Sequence, residues 1–287
     1  MKRYIAEFLG TLLIVTVAAG AVVADTFFAR AHLTDASGAL TIAFAYGLST
    51  MVVLGTLGRY SGGYANPAIA IGLLLTGKLG GKEAGGLILA QLLGGAAAGV
   101  MVWAMSPADA FAFTAGGAPG LATGMTIAKG TAIEMVGTLL VTLAIWGTFM
   151  DKRSPRSVAP LAAGLAVTAG AIAAGPFTGA GLNPARWLGP ALAAKSFDNW
   201  PVWIAGPVLG GLLGALVYEN ILGGKADDAT GAPAEGAGVT GDEGAAASRA
   251  LPAGSPPAEP IVPGKATAAT AATSAATSAT SGDDSAK

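Results

Sequence analysis

The sequence predicts an all-α membrane protein, with six transmembrane helices and two re-entrant half-helices arranged as an inverted repeat. Three observations predict it. Six stretches are long and apolar enough to cross a bilayer, the first half of the chain recurs in the second, and each half carries a short apolar segment opening on Asn-Pro-Ala.

A span needs about 20 mostly apolar residues, because the hydrocarbon core is about 30 Å thick and a helix rises about 1.5 Å per residue. Residues 4–24, 38–58, 84–105, 127–149, 158–175 and 201–222 meet that requirement. Only Glu7, Lys129, Glu134 and Glu219 bring a formal charge into them, and Lys129 and Glu219 lie near ends from which they could reach water. Lys2 and Arg3 before an apolar run also resemble a signal peptide. The length of the run, the acid within it and its place in the repeat argue for a retained helix.

Composition agrees. Hydrophobic residues make up 53% of the 287 and charged residues 11%, against about 25% charged in a soluble domain. With no cysteine and a single histidine, His32, the chain offers no disulfide, thiolate site or histidine cluster, so neither metal nor cofactor is expected. No basic run is dense enough for nucleic acid. No nucleophile, base and orienting group converge in the spans, which argues against an enzyme.

Residues 1–223 form the membrane domain, with repeats of about 1–105 and 127–222. After Gly223 the chain turns to Ala, Gly, Ser, Thr and Pro with no aromatic residue, so residues 224–287 read as a disordered cytoplasmic tail. Lys and Arg favour cytoplasmic loops. Placing the N-terminus inside puts Lys2, Arg3, Arg59, Lys78, Lys82, Lys152, Arg153, Arg156 and Lys225 there, with both termini cytoplasmic. Trp103, Trp200 and Trp203 then fall at the outer interface and Trp146 near the inner one.

The repeat is legible residue by residue. Ala6-Glu7-Phe8-Leu9-Gly10-Thr11-Leu12-Leu13 is matched by Ile133-Glu134-Met135-Val136-Gly137-Thr138-Leu139-Leu140. Each copy is followed by a second span and then a loop with Asn66-Pro67-Ala68 or Asn183-Pro184-Ala185. Three spans per unit is an odd number, so the second unit enters from the opposite side, and the interface of such repeats commonly houses a transport site.

Asn is a favoured N-cap and Pro a favoured first helical residue. The apolar segments that follow, 69–75 and 187–192, are too short to cross. Both read as half-helices, and irregular backbone at membrane depth survives only where it is buried or lines a wet cavity. The two loops should therefore border a pore.

Twin Asn-Pro-Ala loops, Ser61-Gly62-Gly63 before the first, Arg186 after the second and the paired Glu-x-x-Gly-Thr segments together resemble the aquaporin, or major intrinsic protein, family over residues 1 to about 222. The resemblance implies a passive channel for water and small uncharged solutes, such as glycerol, urea, ammonia or hydrogen peroxide, that excludes protons and ions. It also implies a homotetramer in the lipid bilayer. It assigns Asn66 and Asn183 to the meeting point of the half-helices and Glu7 and Glu134 to holding the loops. Gln91, within the third span, is expected to play a similar supporting part. Counting from the motifs places the family's outer filter at Tyr46, Ala171, Ala180 and Arg186. Ala171 stands where water-selective members carry histidine, and Trp187 and Ala180 depart from the glycerol-conducting pattern, so the filter is expected to be wide. A plasma-membrane location is expected. A proton-coupled transporter on the same inverted repeat, using Glu7 and Glu134, is the competing expectation.

Overall fold

The computed structural model describes residues 1–31 and 38–223. His32 and the tail 224–287 lie outside the described residues. Six helices are long and apolar enough to cross a membrane. In chain order the helices are α1 (Lys2–Arg30), α2 (Gly38–Ser61), α3 (Pro67–Leu75), α4 (Gly81–Met105), α5 (Ala108–Phe113), α6 (Ile127–Ile145), α7 (Ala159–Thr178), α8 (Pro184–Ala194) and α9 (Pro201–Val217). Helices α6 and α9 each end in a π-helical turn, Trp146–Met150 and Tyr218–Leu222. No strand occurs among the described residues.

The apolar runs set the helices, yet several helices outrun them. The first extends six residues past the predicted end, to Arg30, since main-chain hydrogen bonding continues through polar positions once a helix is nucleated. The two short segments are α3 and α8, of 9 and 11 residues.

Packing follows the repeat. Helix α1 lies against α4 as α6 lies against α9, α2 pairs with α7 across the pseudo-twofold axis, and α8 packs on α4 as α3 packs on α9. Glycine makes the half-helix contacts possible. A methyl group on Gly189 would collide with the main chain of Gly95, and one on Gly99 would collide with the main chain of Gly189. The equivalent α3–α9 contact is looser at Gly72, where a methyl would sit tightly against the carbonyl of Gly211, and close at Gly211, where one would collide with that of Ala68. Small residues let these backbones approach.

Large apolar side chains point outward at four-residue spacing, including Leu9, Leu13 and Val17 on α1 and Phe44, Leu48 and Val52 on α2. Such stripes would be a liability in water and are natural against lipid. The tryptophans correct one expectation. Trp103 and Trp200 are exposed as predicted, but Trp203 and Trp146 are 1% and 0% exposed. Trp203 stacks on Trp187 at 5.8 Å and donates its indole N–H to the carbonyl of Thr178 at 3.0 Å, while Trp146 donates to Glu219 at 2.8 Å. Their position near helix ends suits an interfacial belt, but the chain offers each an internal acceptor, and a satisfied indole is better buried. Glu219, exposed near the helix end as the sequence suggested, is also paired with Lys78 at 2.9 Å.

Candidate functional site: the meeting point of the half-helices

Asn66 and Asn183 each occupy the N-cap of a half-helix in extended backbone, and their side-chain oxygens accept from the N–H of Ala68 at 3.0 Å and Ala185 at 2.9 Å. Pro67 and Pro184 follow at the first helical position, where a missing N–H costs nothing. Each asparagine then reaches across to the other loop. Asn66 Nδ2 donates to the carbonyl of Leu182 at 3.0 Å, and Asn183 Nδ2 donates to that of Ala65 at 2.7 Å. The N-terminal ends of α3 and α8 therefore face each other and are cross-braced, with residues over a hundred positions apart in sequence brought together.

Ala65 and Leu182, just before the asparagines, both adopt left-handed backbone with φ of 45° and 53°. That costs roughly 1–2 kcal/mol for a residue with a side chain. The turn directs each carbonyl to the opposite asparagine and each N–H to a buried carboxylate. Glu134 accepts from Thr178 Oγ1 at 2.6 Å, Gly181 N at 2.9 Å and Leu182 N at 2.6 Å. Glu7 accepts from Ser61 Oγ at 2.6 Å, Tyr64 N at 3.0 Å, Ala65 N at 2.8 Å and Gln91 Nε2 at 2.6 Å. Both acids are fully buried, and the donors around them offset the lost hydration. Gln91 has no counterpart in the second repeat, where the register of Gly94 with Gly210 puts Pro207 at its place.

Beyond the asparagines, toward the end of α1 away from Met1, lies a cavity of about 300 Å³. Tyr46, Ala171, Ala180 and Arg186 all line it, together with apolar groups such as Val22 and Ile42. Arg186 is 1% exposed, donates from Nη1 to the carbonyl of Gly117 at 2.9 Å, and lies 5.9 Å from the centroid of the Tyr46 ring. Its Nε has no protein partner. The Tyr46 hydroxyl is tied back to the carbonyl of Gly181 at 3.0 Å, so the ring stands edge-fixed beside the guanidinium.

The Major intrinsic protein family profile matches residues 1–218. The chain belongs to that family. It is 33% identical over 234 residues to aquaporin TIP2-1 of Arabidopsis thaliana, covering 79% of this chain and 90% of the relative. It is 35% identical over 228 residues to aquaporin TIP2-2 of Zea mays, covering 77% and 87%. Among solved structures it resembles the aquaglyceroporin from Plasmodium falciparum, with a TM-score of 0.66, 21% identity, and coverage of 77% of this chain and 96% of that one.

Within this major intrinsic protein, sequence reasoning missed the groups that hold the site from outside the motifs. The carbonyl of Gly117, in a 3₁₀ turn at Ala115–Gly117, anchors Arg186 from 69 residues away. The hydroxyls of Ser61 and Thr178 and the indole of Trp203 complete the loop supports. The recurrence of Ser61 and Thr178 five residues before each asparagine was a readable signal. The Gly117 carbonyl left none, because any residue carries one.

Proposed function

We propose that this chain is a passive channel for water and small uncharged solutes, and not an enzyme. The observation that carries the reading is the reciprocal hydrogen bonding of Asn66 and Asn183 at the opposed helix tips. Each tip presents about half a positive charge. A cation arriving there is repelled as it dehydrates. Each asparagine amide has a second N–H free of the cross-brace for the oxygen of a passing water or hydroxyl. An oxygen held by both donors turns its own hydrogens away along the passage, which interrupts the chain a proton would follow.

Tyr46, Ala171, Ala180 and Arg186 are assigned as the outer filter on their shared cavity. A guanidinium beside two alanines and a fixed ring offers donors on one side and apolar wall on the other, which suits water and small solutes that carry an acceptor oxygen. Glu7 and Glu134 are assigned to loop support. Both are hydrogen-bonded by several donors, those of the loops and, for Glu7, Gln91, so neither is left as the lone carboxylate that proton coupling requires. The bilayer houses the chain as a multi-pass protein; we place it in the plasma membrane as a homotetramer, with both termini and the tail 224–287 cytoplasmic. A terminal fluorescent fusion, read for membrane address and for accessibility from each side, checks that placement.

Solute uptake into vesicles, measured with and without a pH gradient, tests passivity. Flux should rise linearly with solute concentration and ignore the gradient, whereas saturable, gradient-driven flux would mean a transporter. Ala171→His should fill part of the 300 Å³ cavity and depress glycerol or urea flux more than water flux. An unchanged ratio of the two would remove Ala171 from the filter.

A further inference from the structure

A second cavity, of about 540 Å³, opens at the end of the helices near Met1, where Leu54, Gly58, Arg59, Phe149, Arg156 and Ser157 line it. Its size is that of a small-molecule site. It lies where the inner end of α2 approaches the first loop, since Gly63 rests against the main chain of Leu54 and Gly58.

The charge at this mouth is one-sided. Each acid described on this face is engaged elsewhere: Glu7 with its loop, Glu83 with Arg3, Glu219 with Lys78 and Trp146, and Asp151 with Arg153 and the Tyr218 hydroxyl. The Arg153 guanidinium holds the Asp151 carboxyl well below the usual carboxylate range, so that acid stays ionised and committed. Arg59 and Arg156 have no salt bridge among the described residues. Each guanidinium instead lies near an aromatic ring, Arg59 at 5.9 Å from Tyr60 and Arg156 at 5.7 Å from Phe149. A ring takes up none of a guanidinium's hydrogen-bonding capacity for oxygen, and the N–H fork binds anionic oxygens two at a time. The Ser157 hydroxyl adds a donor and acceptor at the same rim.

We propose that this cavity is a binding site for a phosphoryl anion, held by Arg59, Arg156 and Ser157. The shared chemistry is a doubly charged phosphate group, supplied by a soluble phosphorylated molecule or by a lipid headgroup. Chloride, with a single charge and no fork of oxygens, does not substitute.

The full chain in phosphatidylcholine nanodiscs, titrated with pyrophosphate in excess chloride, reads binding apart from any flux. Saturable binding in this neutral lipid assigns a soluble ligand. Binding confined to phosphatidic acid, seen as enrichment of that lipid over phosphatidylcholine among the lipids that co-purify with the protein from mixed bilayers, assigns a headgroup. In either arm Arg59→Gln or Arg156→Gln should weaken binding about tenfold or more, because each removes a charge-assisted pair. The two are made separately, so that if one unfolds the other decides. Affinity unchanged in the folded variants, or no binding of pyrophosphate or phosphatidic acid, overturns the assignment.

Discussion

Replacing Glu134 with alanine should sharply reduce water conduction, because it strips the buried N–H groups of Gly181 and Leu182 of their acceptor. Each buried donor left unpaired costs about 1–3 kcal/mol. The Thr178 hydroxyl keeps its bond to the carbonyl of Ala174 at 3.1 Å, so the damage falls on the backbone of the loop. Leu182 already sits in left-handed backbone. With its N–H released, only the Thr138 hydroxyl, at 3.3 Å, still holds its carbonyl besides Asn66, and the cross-brace weakens. Glu134→Gln keeps one acceptor oxygen but sets an amide NH₂ against an N–H, so it should fall between alanine and the parent. Glu7→Ala should be milder than Glu134→Ala. Gln91 stands beside Glu7 with a buried carbonyl oxygen that has no partner, and a turn of its amide offers the first loop a substitute acceptor. Pro207, at the equivalent place, offers none. Water permeability of reconstituted variants at matched protein content should therefore rank parent, Glu134→Gln, Glu134→Ala, with Glu7→Ala above Glu134→Ala. Equal loss at both acids would remove Gln91 from the account.

The second large effect concerns a single methyl group. Gly189→Ala should cost roughly 1–3 kcal/mol of overpacking, since the added carbon meets the Gly95 main chain, which cannot rotate away. Relief requires α8 to move off α4. That helix is capped by Asn183 and carries Arg186, so the shift displaces the cross-brace and the guanidinium together. Gly85→Ala on α4 is the matching control. An added methyl there meets nothing within 4 Å, and alanine is the better helix former by up to about 1 kcal/mol. Gly189→Ala should lower the unfolding temperature in detergent and most of the water flux, while Gly85→Ala leaves both at or above the parent. A fully active Gly189→Ala would show that close approach of α4 and α8 does not set the pore.

The membrane-spanning helices were readable because a span is a local property: length and hydropathy of about 20 consecutive residues decide it. Half-helices α3 and α8 were readable because capping is local too, and Asn-Pro announces a helix start at the residue where it occurs. The repeat added what local pattern lacks. It paired Glu7 with Glu134 and Asn66 with Asn183, and so pointed to four residues that the fold places around one centre. What escaped was the identity of partners that contribute main chain, such as the Leu182 and Ala65 carbonyls that receive the asparagine amides. Those bonds depend on backbone direction at two left-handed residues, which Ala and Leu do not advertise. The misplaced tryptophans have the same origin. Hydropathy locates Trp146 and Trp203 near helix ends, but whether an end faces lipid or a neighbouring helix is decided by contacts far away in sequence.

The central claim is that two helix tips, crowned by Asn66 and Asn183, border a continuous wet passage closed to protons. Stopped-flow light scattering on vesicles carrying the protein, with a pH dye sealed inside, tests both halves in one preparation. The account predicts osmotic shrinkage far faster than in protein-free vesicles and with a shallower temperature dependence, while an imposed pH gradient decays no faster than through lipid alone. Shrinkage no faster than lipid, or a pH gradient that collapses as water flows, would contradict it.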